Sequence, residues 1–419
     1  MVFRTAQKGD IMKDIDEGTI RRIDWQELVP PVLLFRVFTT AISVRMMFFA
    51  LVGILLTIAA ESIINQFESP STRIFRKITE QSLAEGQGIP IPIKIDSTPN
   101  AGFLNSSDNF VVTFNSTKAV QSQAGVFSPW FSFTKSGNQF FTLDRKNWSE
   151  RVSGFFSFAA MVIVWAFAGG LICRSAAMRL TNDKSESLGD LFRFMKGRGF
   201  GFVSSVLILT VGILFCAFIV SIPMFAWSWG WYVVNFVVAL TFPFALLFVF
   251  FALLLLSVLW FGFPLLFAAV ATDGADGFDA VSRAFSYLFQ RPFHYLLYWI
   301  LSAVQGFLGY FVIAFFVNGT FMITAHLMEP QFNYSITTTI ITACFWLLRL
   351  LIVAYIFSWF WTSGVAIYLL LRRSVDAAPL TEIYRQQPVK VRVLPKIEID
   401  PIPPKEQNTE ASMGDRLHP

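Results

Sequence analysis

Hydrophobic residues in this chain rarely alternate with polar ones; they gather into long runs bounded by charge, proline or glycine. A helix needs roughly 20 apolar residues to cross ~30 Å of hydrocarbon. Five runs meet that length: Thr40 to Ala60, Gly154 to Cys173, Phe202 to Ser221, His294 to Val317 and Ile340 to Leu371. A sixth stretch, Trp231 to Val270, holds no Asp, Glu, Lys or Arg and is interrupted by Asn235, Pro243 and Gly262-Phe263-Pro264. The positive-inside rule predicts one crossing there. One crossing places Arg21, Arg22, Arg36 and Arg45, then Arg174, Arg179, Lys184, Arg193, Lys196 and Arg198, then Arg283 and Arg291, then Arg372-Arg373, on a single side. It leaves the opposite turns near 223–230 and 318–339 without Lys or Arg. Trp231 to Thr241 then reads as a short interfacial or re-entrant piece, with the crossing after Pro243.

The predicted fold is an all-α transmembrane bundle of about six helices with both termini in the cytoplasm. It divides into a cytoplasmic segment 1–39, a first transmembrane helix 40–62, an extracytoplasmic segment 63–152, a transmembrane core 153–373 and a cytoplasmic tail 374–419. The first long apolar run starts only near Thr40, so it is expected to stay in place as an anchor. Within 63–152, Phe110 to Phe114, Trp130 to Phe133 and Phe140 to Leu143 read as short strands between Asn, Ser, Gly and Pro clusters, a small β-rich domain. The tail, with Pro395, Pro401, Pro403 and Pro404 among charges, reads as disordered.

Ser187 to Val203 and Ala280 to Leu296 align without a gap. Leu188, Leu191, Phe192 and Met195 fall opposite Val281, Ala284, Phe285 and Leu288, and Arg198 falls opposite Arg291. Both sets follow the i, i+3, i+4, i+7 spacing of one helical face. Each stretch is expected to be an amphipathic helix on the cytoplasmic interface, started by Ser187 with Asp190 or by Asp276 with Asp279. The unit of crossing, surface helix, crossing thus occurs twice in one orientation, a parallel repeat.

Composition fits a chain dissolved in lipid: 54% of residues are hydrophobic, 15% are charged and 48 are phenylalanine. The net charge of +5 is dispersed and forms no basic, aromatic-interleaved face for nucleic acid. Cys173, Cys216 and Cys344 lie inside apolar runs, with neither a disulfide framework nor metal spacing. Asp273, Asp276 and Asp279 lack the spacing of an EF-hand, and capping accounts for the last two. His294 and His326 have no neighbouring nucleophile or paired carboxylates, and no nucleotide-binding motif appears. No catalytic, cofactor or metal residue is therefore assigned. Lys196, Arg198 and Arg291 are the candidates for contact with anionic lipid. Arg349 and Gln305 are the polar candidates within the membrane, Arg349 read first as snorkelling or structurally paired, Gln305 as a mark of close helix packing beside Gly306 and Gly309.

Ile163 to Gly170 with Ile172 to Ala177, Asp276 to Arg283 with Tyr287 and Gln290-Arg291-Pro292, and Phe357 to Trp361 with Tyr368 to Asp376 form three blocks. Through them residues 150–380 resemble an uncharacterised family of bacterial multi-pass integral membrane proteins. The resemblance implies the architecture, placed in a bacterial inner membrane, and no activity. A weaker likeness links the surface-helix-and-crossing unit to membrane domains found beside glycerophosphodiester phosphodiesterases, whose catalytic carboxylate and histidine motifs are missing here. The expectation is a non-enzymatic membrane scaffold or assembly protein that engages anionic lipid and, through 63–152, an envelope partner. A small-solute or lipid transporter built on the repeat ranks second and a membrane-embedded enzyme third.

Overall fold

The structure, a computed structural model, describes residues 32–66, 127–141, 148–182, 186–227, 230–327, 335–380 and 382–384. Ten helices lie among them: α1 Val32–Ala41, α2 Val44–Gln66, α3 Ser128–Phe141, α4 Trp148–Asn182, α5 Leu188–Trp227, α6 Tyr232–Phe261, α7 Phe263–Asp273, α8 Gly277–Gln290, α9 Pro292–Leu327 and α10 Ser335–Asp376. Six carry segments long and apolar enough to cross a membrane: Val44–Ile64, Val152–Thr181, Leu188–Pro223, Tyr232–Phe261, Pro292–Thr324 and Ala343–Asp376. The chain is thus a multi-pass membrane protein. Helices are the form such apolar runs must take, because in hydrocarbon each backbone N–H and C=O has to find its partner within the segment.

The bundle is built around α10, which packs against α1, α2, α4, α7 and α9. Its Trp359, Phe360 and Tyr368 are fully enclosed. Small residues permit the close approach: a Cβ at Gly169 would strike the Trp361 ring, and one at Gly306 the Trp359 ring. Small residues are what such seams need, since water does not drive apolar helices together inside lipid. By contrast α6 buries only Ala245, Val258 and Leu259, and with α5 presents a broad apolar face to lipid.

Four expectations change. The 130–133 and 140–141 stretches are not strands; they belong to helix α3. Its aromatic residues recur at helical spacing, and Phe133 stacks on Phe263 at 4.3 Å while Phe140 stacks on Phe158 at 5.4 Å. Packing against α4 and α7 overrides the strand preference of aromatic residues. Residues 110–114 lie outside the described residues. Trp231 to Thr241 is no separate piece either, for α6 runs unbroken through Pro243. The chain breaks at Gly262 instead. The next helix, α7, has eleven residues and is about 16 Å long, too short to cross, with Phe263 to Thr272 all buried.

The third change concerns the aligned stretches. Residues 188–200 are simply the first turns of α5, whereas α8 is separated from α9 at Arg291-Pro292. On α8 the buried positions are Gly277, Ala280, Ala284 and Tyr287, one residue round from the expected face, and Phe285 is exposed. On α5, Leu191 and Met195 are buried but Leu188 and Phe192 are exposed. The capping pairs do form: Asp279 N–H donates to Asp276 Oδ1 at 2.9 Å, and Asp190 N–H to Ser187 Oγ at 3.2 Å. Fourth, the C-terminal tail does not begin at 374, since α10 continues to Asp376 and 377–380 and 382–384 fold back on the bundle, with Leu380 buried. Residues beyond Tyr384 lie outside the described residues.

Candidate functional site

The densest polar constellation sits where α4, α7, α8 and α10 end together. Asp273 closes α7, whose next residue, Gly274, adopts φ +62° and ends the helix in the left-handed conformation. Glycine is required there twice over, because a Cβ would also strike the Tyr384 ring. The turn aims the Asp273 carboxylate, with only 8% of its side chain exposed, into three donors. Arg372 Nη1 lies 3.0 Å from Oδ1, and Arg283 Nη1 and the Tyr368 hydroxyl each lie 2.5 Å from Oδ2. Asp279, one turn before Arg283 on α8, takes its Nε at 3.1 Å. The Tyr287 hydroxyl donates to Asp376, and burial together with that carboxylate pushes its pKa up, so it stays a donor at neutral pH.

A second arginine anchors the neighbouring strap, residues 377–380 with 382–384. Arg174, 2% exposed, reaches Glu186 Oε1 at 2.7 Å and donates Nη1 to the carbonyls of Ala271 and Tyr384, both at 2.9 Å. The Phe194 ring lies 4.3 Å below its guanidinium. Tyr384 in turn donates its N–H to Thr272 O at 2.8 Å. Arg372 donates to Glu382 O at 2.8 Å, which ties the strap to α10. Arg36 and Arg45 cap nearby backbone: Arg36 meets the carbonyls of Leu180 and Arg179 at the C-terminus of α4, and Arg45 meets that of Glu186 at 2.5 Å. Cations suit a helix C-terminus, where unpaired carbonyls gather negative charge.

Chemically this arrangement is a lock. Its carboxylates are occupied by arginine and tyrosine donors, and breaking a buried ion pair from one side costs about 3–5 kcal/mol. Among the described residues no three of His, Cys, Asp and Glu gather as a metal site. Asp276 caps α8, while Asp273 and Asp279 both pair with Arg283 and Asp273 also with Arg372.

The structure distributes the sequence candidates around this lock. Lys196 and Arg291 are exposed, whereas Arg198 is half-buried with its guanidinium 5.3 Å from the centre of the Tyr384 ring. Arg349, half-buried near the opposite end of α10, stands 5.1 Å over Phe321 of α9. Gln305 lies on the α9 flank beside Gly306, and among the described residues neither its amide nitrogen nor its oxygen has a hydrogen-bond partner. In the sequence, Arg174, Arg283 and Arg372 read as topology signals and, with Tyr368, as members of the three resemblance blocks, Asp273 as part of an incomplete cation loop, and Tyr384 does not stand out. The available signal was local: Arg283 lies four residues after Asp279, and Arg174 follows Cys173 without any turn residue. No protein-family model, curated protein or solved structure matches this chain.

Proposed function

We propose that this protein is a non-enzymatic scaffold of the membrane, a rigid helical body that engages anionic lipid at its arginine-bearing rim. The observation that carries this reading is the packed interior. Trp165 stacks on Phe357 at 4.5 Å, Phe267 meets Trp361 at 4.6 Å and Trp299 meets Phe360 at 5.5 Å, so aromatic rings fill the space between α4, α7, α9 and α10. The ion lock then ties the ends of α4, α7, α8 and α10 together. Rigid-body rocking would have to break both.

In this reading the rim faces the cytoplasm of a bacterial cell, α8 and the first turns of α5 are the two surface helices of a parallel repeat, and the segment 63–152 engages an envelope partner. Phe200 and Phe293, aligned positions just past Arg198 and Arg291, are 77% and 84% exposed, which supports seating both stretches at the lipid boundary. The transporter reading draws on Gln305, whose amide is enclosed without partners among the described residues.

Cross-linking separates the two. Ser302 Oγ and Ser363 Oγ lie 2.7 Å apart, so Ser302→Cys with Ser363→Cys places two thiols within disulfide reach and allows α9 and α10 to be joined directly by a membrane-permeant oxidant. A scaffold keeps its whole-cell phenotype when joined. Loss of phenotype at unchanged abundance would favour the transporter.

A further inference from the structure

Outside the lock, a groove of about 430 Å³ runs along α9. Its floor is Tyr295, Trp299 and Ala303, all under 10% exposed, and Trp130 of α3 and Phe261 of α6 overhang it. The lining is hydrocarbon and aromatic carbon throughout, and the volume falls within the ~300–1,000 Å³ of small-molecule sites. From Pro292 to Phe307 the lined part of α9 rises about 22 Å, more than the ~15 Å that one leaflet contributes to the hydrocarbon core. Leu296, Ile300 and Val304 along its open edge are each more than half exposed, so the groove opens sideways, toward lipid.

One end is charged. Leu288 and Pro292 both line the groove, and between them stands Arg291, exposed at the junction where α8 ends and α9 begins. Arg174, Arg283 and Arg372 each pair with a carboxylate within 3.0 Å, yet among the described residues none pairs with Arg291. We infer that the groove seats one acyl chain of an anionic glycerophospholipid, its phosphate held at Arg291. This rests on the lipid-engaging reading above and names the lipid class. The dry floor selects a hydrocarbon chain; the unneutralised arginine selects the anionic headgroup.

The test uses the full chain in nanodiscs of phosphatidylcholine carrying a trace of a probe lipid, either phosphatidylglycerol or phosphatidylcholine, with a photoactivatable group on the acyl chain. Adducts from the phosphatidylglycerol probe should concentrate on Trp130, Trp299 and Ala303. Arg291→Gln should lower their yield about fivefold, to that of the phosphatidylcholine probe. Ala303→Phe, which fills the floor, should remove them while adducts on α5 and α6 persist. Adducts spread over all lipid-facing helices according to exposure, or equal groove labelling by both probes in the wild type, overturns the proposal. The wild-type map decides this even if neither variant folds. Neither outcome bears on the packed interior, which the Ser302–Ser363 disulfide tests independently.

Discussion

Asp273 and Arg372, ninety-nine residues apart in sequence, meet at 3.0 Å at the enclosed ends of α7 and α10. The pair fastens a helix too short to span the membrane to the helix at the centre of the bundle. In doing so it fixes the rim on which α8, the strap and Arg291 are arranged.

Removing that carboxylate should be costly. Asp273→Asn leaves Arg372 and Arg283 facing each other with one countercharge fewer, and the stability measured by SDS titration in mixed micelles should fall by about 3–5 kcal/mol. Adding Arg372→Met should restore part of the loss. A cost below about 1 kcal/mol for the single variant would show that the network is not a lock.

The strap makes a prediction about truncation. A chain ending at Tyr384 should unfold like the full-length protein, whereas one ending at Ala377 deprives Arg174 of the Tyr384 carbonyl and Thr272 of its N–H donor. Each lost hydrogen bond to a charged group contributes about 1.5–3 kcal/mol. Hydrogen exchange of the amides from Thr272 to Ala275 should accelerate in the shorter chain alone.

Arg349 over Phe321 is a cation–π contact, a class that contributes about 0.5–2 kcal/mol. Arg349→Lys should keep both stability and phenotype, and Phe321→Ala should lower stability about as much as Arg349→Leu does. Complete loss of phenotype in the lysine variant at normal abundance would instead assign Arg349 to a substrate path, because a lysine ammonium can still stand over Phe321 but cannot supply bidentate recognition.

Orientation is testable at two positions. In a cysteine-free background, Phe278→Cys on α8 should react with an impermeant thiol reagent only in inverted vesicles, and Asn318→Cys near the far end of α9 only in intact cells. Phe278 is 72% exposed, so no neighbouring side chain covers it. The reverse pattern would overturn the assignment made from Lys and Arg bias.

Properties that a single segment carries alone were legible in the amino-acid sequence. Span number follows from counting apolar residues against bilayer thickness, and the start of α8 follows from Asp276 and Asp279 three residues apart, both of them local relations. Which faces turn inward depends instead on the assembled bundle. In this chain core and lipid are both apolar, so hydrophobic periodicity cannot separate Tyr287, which is enclosed, from Phe278, which is not. Nor could aromatic content tell a strand from α3, whose helix depends on Phe158 and Phe263 being present to receive it. The rim lay furthest from view. Arg174 finds its acceptors 97 and 210 residues away, and Asp273 its tyrosine 95 residues away, so charges that look like isolated topology signals become a network only when the chain folds.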